Sequence, residues 1–508
     1  MSRNGLWMLA VVACCGCASG PAEDAADVLG QCQKACKNVW TDVTFARKDG
    51  VWQVSGVCLT NEKLGDSDLR RLAELKTLDS LELSAVCSGL GAVTTQGIQT
   101  LRTFPHLRRL VLLCRLPEGG LGALGSLHEL QELELLGDYG KDESLVPLSE
   151  VPKLRRLTVT CATDEALASM KSLKSIEELC LRPGLWFTDA GVAKLRAMVS
   201  LRSLSLYAPN ITAKGLSQLA DLPRLEHLAF GWSATDVDAC RFGPADLSSW
   251  RGLRSVDISC LRPEDGSAVR LPASLEALRL SQGEALALQP LPGHLRSVTV
   301  MLHQPDAVDL KWLSPLPDLR ELCLQGRIDS AVKAIADLKA LRALTLARGT
   351  EPVSDEGMKR IGELRQLESL EIEEVGSEVT DAGMASLRNL GELRRLNLKA
   401  MNKVTDEGFA CLRDLKRLRA LSLDLSLRSQ PRNFDGMLSH VQALGELEEL
   451  SIQGAALTDE GLKKLADLKK LRRLDLTGCD GYTDNGLRAL MQALPNLQEV
   501  KRSYLPVD

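Results

Sequence analysis

The chain has 508 residues, of which 44% are hydrophobic and 25% are charged, a composition typical of a globular protein rather than a disordered one. Its 62 basic and 67 acidic residues leave a formal net charge of -5. This balance argues against a nucleic-acid-binding protein, because that class needs a basic stripe or a high isoelectric point.

The first 17 residues, 1–17, predict a signal peptide with a lipobox. A short positively charged region precedes an apolar stretch at residues 6–13, which is too short to cross a bilayer. Val11-Val12-Ala13-Cys14 resembles the lipobox of bacterial lipoproteins, in which the cysteine is lipidated and becomes the new N-terminus. We therefore expect lipidation at Cys14, with Cys17 as a second candidate. Ordinary signal-peptidase cleavage and a cytoplasmic protein with an apolar start are the alternatives.

The segment after the signal predicts a tether and then a cap. Residues 18–40 contain the acidic, proline- and alanine-bearing stretch SGPAEDAAD, which predicts a solvated tether. Residues 41–53 predict a β-hairpin that caps the first repeat, with Asp49-Gly50 at its turn. An exported chain allows one disulfide among Cys32, Cys36 and Cys58, and the sequence leaves the pairing open.

One pattern recurs through residues 54–508. The sequence returns to Leu-x-x-Leu-x-Leu, or to a variant with Ile, Val or Phe, about every 20–29 residues. The first positions of the motif are Val54, Leu78, Leu107, Leu130, Leu154, Ile176, Leu201, Leu225, Leu253, Leu275, Leu295, Leu319, Leu341, Leu367, Leu393, Leu418, Leu447, Leu471 and Leu497. The alternation at the end of each motif predicts a strand with one buried face, and leucines at helical spacing before it predict a helix of roughly three turns.

A Thr-Asp-x-Gly phrase opens the predicted helix in many units, as at residues 458–461. Thr458 is placed to cap the helix, and Asp459 brings negative charge to the positive end of the helix dipole. Gly461, which has no side chain, would let the helix start lie close to the neighbouring coil. We therefore assign this phrase a structural role.

The period and the motif resemble those of the leucine-rich-repeat family. The resemblance implies an α/β solenoid shaped as a horseshoe, with about 19 parallel strands on its concave face and helices on its convex face. One unit buries too little surface to fold alone, so residues 54–508 are expected to form one domain. The Thr-Asp-x-Gly-Leu phrase is similar to the cysteine-containing, F-box-associated-like subclass found in bacterial leucine-rich-repeat lipoproteins. Only Cys479 occupies the position of the cysteine usual in that subclass.

The sequence shows no pattern that predicts catalysis. The six histidines are scattered, and no His-x-x-x-His, P-loop, Gly-x-Ser-x-Gly or Gly-x-Gly-x-x-Gly occurs. We therefore expect a protein that is not an enzyme and that needs no metal and no cofactor.

Charges next to the strands predict a ladder and one anion-binding candidate. The residue after the first leucine of each strand alternates in sign over several units, which favours register and a charged edge. The alternation stops at Arg296, Arg320 and Arg342, which follow one another in consecutive coils. These three arginines are candidates for binding an anion or an acidic peptide.

Large aromatic residues are concentrated in one part of the chain. Trp186, Tyr207 and Trp232 lie after predicted strands, and His227 occupies an exposed strand position. Amphipathic side chains grouped on a concave surface are typical of partner-binding sites, so these four are candidates for it. Packing under the long insertion after residue 230 is the alternative.

These features together predict an exported, lipid-anchored leucine-rich-repeat protein that binds a protein partner of unknown identity through its concave face. It resembles internalin-like surface adhesins and periplasmic scaffolds. The expected location is the cell envelope, periplasmic or at the surface, with secretion as the alternative. We expect no nucleic acid, and membrane contact through the N-terminal lipid alone. The other functions left open are a substrate-selecting adaptor or effector in the cytoplasm or a host, and a purely structural envelope protein.

Overall fold

A computed structural model describes most of the chain after the predicted tether. The described residues are 40–48, 51–60, 66–72, 77–84, 93–113, 116, 119–136, 145–160, 163–182, 187–206, 211–230, 246–258, 269–281, 291–302, 310–335, 337–373, 376–426 and 434–504. The predicted signal peptide, with Cys14 and Cys17, lies outside these residues, as do Cys32 and Cys36.

Twenty strands are present in the described residues. They are β1 (Trp40–Lys48), β2 (Val51–Thr60), β3 (Ser80–Ser84), β4 (Arg109–Leu113), β5 (Glu132–Leu135), β6 (Arg156–Val159), β7 (Glu178–Leu181), β8 (Ser203–Leu206), β9 (His227–Phe230), β10 (Ser255–Asp257), β11 (Ala277–Ser281), β12 (Ser297–Leu302), β13 (Glu321–Arg327), β14 (Ala343–Glu351), β15 (Ser369–Ile372), β16 (Arg395–Lys399), β17 (Ala420–Asp424), β18 (Glu449–Gln453), β19 (Arg473–Leu476) and β20 (Glu499–Tyr504).

The α-helices of the described residues have four to ten residues, so they are shorter than the three turns that the sequence predicted. The α-helices of the described ranges are α1 (Asp66–Leu72), α2 (Thr95–Thr100), α3 (Gly120–Leu124), α4 (Asp164–Ser169), α5 (Asp189–Val192), α6 (Ala213–Ser217), α7 (Ile328–Ala334), α8 (Asp355–Ile361), α9 (Asp381–Met384), α10 (Asp435–Val441), α11 (Asp459–Lys463) and α12 (Asp484–Ala493). Segments of 3-10 helix extend or replace them at Leu101–Thr103, Val146–Glu150, Met170–Ser172, Ala193–Ala197, Lys311–Leu313, Ala385–Asn389, Gly408–Asp414 and Lys464–Asp467.

Consecutive strands from β2 to β20 pair in parallel, and equivalent leucines stand in register. Leu396 of β16 is paired with Leu421 of β17, which is paired in turn with Leu450 of β18. The alternation of the motif turns these leucines to one face, where each is at most 2% exposed. The buried face is continuous from unit to unit, so each coil is stabilised by the coils on either side of it.

The sheet is closed, which differs from the open horseshoe that the sequence predicted. β1 and β2 form a hairpin, and β1 also pairs antiparallel with β20, from Thr41 opposite Tyr504 to Ala46 opposite Glu499. Phe45 and Val500 are partners in this seam and are both buried in the core. β1 therefore lies between β2 and β20, the first and last strands of the parallel series. The described sheet has no free edge.

Ordinary packing distances account for this closure. A helix is about 10 Å wide whereas neighbouring strands are about 4.8 Å apart, so the helices need the outer, longer arc. A ring of twenty strands turns by about 18° per strand. Helices that lie about 10 Å outside the strands are then about 8 Å from one another. Helices pack at about 8–10 Å, so strands inside and helices outside satisfy both distances.

The Thr-Asp-x-Gly phrase joins successive helices through a repeated bridge. Asp355 accepts hydrogen bonds from the backbone N–H of Thr380 at 2.8 Å and from its hydroxyl at 2.6 Å. The Thr380 hydroxyl oxygen in turn accepts the N–H of Ala382 and caps α9. Equivalent bridges are Thr94–Asp66, Thr188–Asp164, Thr212–Asp189, Ser354–Asp329, Thr405–Asp381, Thr458–Asp435 and Thr483–Asp459.

The glycine of the phrase makes room for this aspartate. A Cβ on Gly357 would lie 2.6 Å from Asp329 Oδ1, and a Cβ on Gly383 would lie even closer to Asp355 Oδ1. The aspartate of one unit thus bonds the threonine and fills the space beside the glycine of the next. The sequence placed the glycine correctly at a close approach of two coils, but it assigned the aspartate to the helix dipole alone.

Candidate partner-binding surface

The strand residues that alternate with the buried leucines form one continuous polar face inside the ring, which we call the inner face. In β5, for example, Glu132 and Glu134 lie on the inner face while Leu133 and Leu135 are buried. Most of these side chains stand apart from the leucine core and contact one another across neighbouring strands.

An arginine-centred network covers the inner face from β3 to β7. Arg109 of β4 lies 3.0 Å from Glu134, 3.5 Å from Glu132 and 3.9 Å from Glu82. Arg156 contacts Glu132 as well and lies 2.9 Å from Glu178. The carboxylates here outnumber the guanidinium groups, so this part of the inner face carries net negative charge.

A second network centres on Arg279 of β11. Its guanidinium lies 3.4 Å from Asp257 of β10 and donates to Gln325 of β13 at 2.9 Å, reaching past β12. Gln325 is 8% exposed and is in turn beside the Cys323 sulfur. Burial raises the pKa of Cys323, so this thiol stays protonated and unreactive near neutral pH.

The inner face has depressions where short side chains lie between long ones. A depression of about 320 Å³ extends across β15 to β20, with Ala420, Ser422 and Ser451 between Arg395 on one side and Arg473 on the other. Asn397 borders the same depression, and its buried Oδ1 accepts no hydrogen bond.

His227, one of the predicted partner-binding residues, lies exposed on the inner face in β9. It stands in register with Ser203 of β8 and Ser255 of β10 and borders a depression of about 270 Å³. The surrounding strands β8 to β12 carry mainly serine, alanine and threonine, so this stretch is nearly neutral.

The predicted charge ladder forms along the rim of the ring, just before the first residues of the strands. Arg155 lies 3.3 Å from Glu177, and Arg202 lies 3.0 Å from Glu226, each pair joining consecutive coils. Arg254 is in contact with Glu276 in the same way. Exposed pairs of this kind contribute about 0–1 kcal/mol each, so they favour register more than overall stability.

The structure brings Arg296, Arg320 and Arg342 into consecutive coils, but each side chain has a local partner. Arg296 is largely exposed and lies 4.0 Å from Glu276. Arg320 donates to the carbonyl oxygens of Pro317 and Leu319. Arg342 donates to Gln366 at 2.6 Å. The three guanidinium groups therefore do not converge on one point, and an anion would have to displace these contacts.

The other candidates, Trp186, Tyr207 and Trp232, lie outside the described residues. Arg109, Arg279 and Asn397 are inner-face residues that the sequence analysis did not single out. Each of them is a polar residue next to the second or third buried position of a strand. The alternation of buried and exposed positions could therefore have identified them from the sequence.

Two further properties concern the described residues. No three His, Cys, Asp or Glu side chains in them are grouped to hold a metal ion. Among their helices, none combines the length and the apolar character needed to cross a bilayer.

Comparison with known families supports the leucine-rich-repeat assignment. The family model described as Leucine Rich repeat matches residues 447–466, which contain β18 and α11, and residues 468–491, which contain β19 and most of α12. Proteins of this family typically serve as non-enzymatic interaction scaffolds. A search of curated proteins finds no match to this chain. The cysteine-containing subclass has no support from these matches.

Solved leucine-rich-repeat structures are similar at low identity. An internalin from Listeria monocytogenes is 15% identical over 83% of this chain and 86% of its own, with a TM-score of 0.27. A leucine-rich-repeat protein of Leptospira interrogans is 18% identical over 87% of this chain and 99% of its own, with a TM-score of 0.32. The plant peptide hormone receptor RGFR1, in complex with RGF2, is 14% identical over 85% and 71%, with a TM-score of 0.27. At these values the likenesses support no conclusion about ligand or location.

Proposed function

We propose that this chain is an exported leucine-rich-repeat protein, anchored by a lipid on Cys14, that binds another protein through the inner face of its sheet. The observation that carries the proposal is the inner face itself. It is continuous over the twenty described strands and mainly polar, while the leucines that alternate with it form the core. A surface of this extent is far larger than a small-molecule site requires.

The sequence of the N-terminus supports the anchor, because a cysteine follows a small residue at the end of a short apolar stretch. Periplasmic or surface location in the cell envelope follows from that proposal. Tyr207 directly follows β8 in the sequence, and Trp232 comes two residues after the end of β9, the strand that contains His227. We propose that these residues, with Trp186, contribute contacts to the partner.

Membrane fractionation tests the anchor. Wild-type chain is expected in the membrane fraction with an attached lipid, Cys14→Ser in the aqueous fraction, and the matched variant Cys17→Ser unchanged. A wild-type chain without lipid would overturn the anchor.

Crosslinking tests the binding surface. A photo-crosslinking residue at Ser205 on the inner face is expected to capture a partner in intact cells, whereas one at Glu460 on the outer helix α11 is not. Tyr207→Ala with Trp232→Ala should reduce the yield, and the exposed Val199→Ala should leave it unchanged. Capture from the outer position alone would overturn binding by the inner face.

A further inference from the structure

We propose that the lumen, the space enclosed by the inner face, holds one extended segment or a single helix of a lysine- or arginine-bearing polypeptide and excludes a folded domain. This inference rests on the proposed function, because it specifies what kind of protein partner the inner face takes.

The closure of the sheet sets the size of the occupant. Twenty strands about 4.8 Å apart form a ring whose backbone diameter is roughly 30 Å, and side chains on both sides reduce the open width to roughly 20 Å. A folded domain of about 100 residues has a radius of gyration of about 13 Å and is therefore too wide. A helix with its side chains is about 10–12 Å across, so one helix or one extended segment fits.

The charge of the inner face sets the chemistry of the occupant. The carboxylates that lie there on strands are Asp42, Glu82, Glu132, Glu134, Glu178, Asp257, Glu321, Glu371, Asp424, Glu449, Asp475 and Glu499. The cations on the same face are Lys48, Arg109, Arg156, Arg279, Arg395, Lys399, Arg473 and Lys501. The excess of carboxylates repels a phosphate backbone and attracts lysine and arginine.

The contacts show where this excess remains available. Two guanidinium groups, those of Arg109 and Arg156, are shared among the four carboxylates Glu82, Glu132, Glu134 and Glu178. Glu82, Glu132 and Glu134 keep side-chain exposures of 34%, 29% and 26%, so a partner cation has access to them.

The depressions in the inner face fit the same occupant. Those across β8 to β12 and β15 to β20 have floors of serine and alanine, between longer side chains. An extended segment presents side chains singly along its length, and each depression is large enough for one of them. A folded domain would present a convex surface that bridges such dents.

The first test uses a labelled peptide of repeated Gly-Ser-Lys. A length of about 24 residues, which spans about 80 Å when extended, lets both ends emerge from the ring. Fluorescence anisotropy at low salt should show binding of this peptide and none of a matched Gly-Ser-Glu peptide. No binding of the lysine peptide, or equal binding of both, overturns the proposal.

The second test compares substitutions of inner-face carboxylates with matched substitutions of carboxylates on the outer helices. Glu82→Gln with Glu134→Gln on the inner face should weaken the lysine peptide about five-fold. Glu356→Gln with Glu460→Gln, which alters two outer-helix carboxylates, should leave its affinity unchanged. Equal losses in the two double variants overturn a lumen site.

The third test asks whether the peptide passes through the ring. Ala46 and Glu499 are opposite each other across the seam, so Ala46→Cys with Glu499→Cys can lock the ring by a disulfide. The free-ended peptide should bind the locked ring. The same peptide with a folded domain at each end should not bind until a protease removes one domain. Binding of the uncut double-ended form to the locked ring overturns the proposal.

The crosslinking experiment separates this inference from the proposed function. If the residue at Ser205 crosslinks to one continuous segment of the partner, the result supports both the proposed function and the lumen inference. If it is joined through residues distant in its sequence that meet on a folded domain, the lumen inference fails while the inner-face function survives. If capture occurs at the outer position alone, the proposed function fails.

Discussion

At the scale of single residues, the Thr-Asp-x-Gly phrase is the feature that determines how coils join. Its threonine caps a helix, its aspartate bonds the threonine of the next coil, and its glycine leaves space for the preceding aspartate. Each bridge involves a charged acceptor and two donors, an arrangement stronger than a neutral hydrogen bond. Substitutions here should therefore act on the junction between coils.

Gly383→Ala should destabilise the protein and Gly391→Ala should not. A Cβ at Gly383 would overlap Asp355 and disrupt its bonds to Thr380, whereas nothing lies within 4 Å of a Cβ at Gly391. The expected cost at Gly383 is about 2 kcal/mol, as for other overpacked sites. Urea unfolding measures it, and similar midpoints for the two variants would contradict the role assigned to the glycine.

Asp459→Ala should destabilise the protein at neutral pH but not in acid. The backbone N–H and hydroxyl of Thr483 lower the pKa of Asp459, so the ionised form is bound more tightly in the folded state. That contribution is present above the ordinary pKa near 4 and is lost as the pH falls through the lower folded value. Loss of this exposed bridge should cost about 1 kcal/mol at pH 7.

Unfolding midpoints at pH 7 and in acid check this, with the neighbouring Glu460→Ala as the control. A cost for Asp459→Ala that stays constant with pH would show that its charge is not the cause.

At the scale of elements, the repeat that contains α12 pairs its aspartate with an arginine, where many repeats have a threonine. Asp484 of α12 instead lies 2.5 Å from Arg502 of β20, and both side chains are at most 13% exposed. Arg502 occupies the third core position of its strand and lies 5.3 Å from the Tyr482 ring centre. A buried arginine thus replaces both the core leucine and the missing threonine.

Asp484→Ala should therefore destabilise the protein by about 3 kcal/mol, because it leaves a buried guanidinium without its carboxylate. Asp480→Ala, at an exposed position of the same repeat, should have little effect. Adding Arg502→Leu to Asp484→Ala should recover most of the loss. Thermal unfolding of the three variants checks this, and a double variant no better than the single one would contradict the pairing.

The closing strand β1 depends on its core residues. Phe45 is 1% exposed and faces the core beside Val500, so Phe45→Ala should cost about 3–5 kcal/mol. Val51 of the same hairpin is 55% exposed, and Val51→Ala should have almost no effect. In hydrogen exchange, the Phe45→Ala variant should lose amide protection first in β1 and β20. Unchanged exchange in β20 would mean that the seam is not a stabilising contact.

Alternation and spacing were sufficient to predict the nineteen repeat strands, the helix starts and the charge ladder, because each depends on contacts within a coil or with the next one. Closure could not be predicted, since it depends on a pairing between residues 41–46 and 499–504, more than 450 positions apart. Phe434 shows a local limit as well. It replaces a bridge threonine and packs edge-on against Phe409 at 6.3 Å, a change that no neighbouring pattern indicates. Of the predicted site, His227 alone could be placed on the inner face, because the aromatic candidates lie outside the described residues.

At the scale of the whole molecule, closure should be measurable as a gain in stability. Oxidation of Ala46→Cys with Glu499→Cys joins the two ends of the array, and the loop it closes is so long that the chain-entropy estimate exceeds about 4 kcal/mol. The oxidised variant should unfold at higher urea concentration than its reduced form. Failure of the pair to oxidise in the folded protein would argue that β1 and β20 are apart in solution.

The seam between β1 and β20 also bears on how such a gene can change. An open array tolerates duplication or loss of a unit, because the ends simply move. In a closed array, the turns contributed by all the units must add up to one full circle. An added coil would therefore require every other coil to turn by a smaller angle. Copy number in relatives with the same seam should therefore be held constant, while loop lengths and inner-face residues vary.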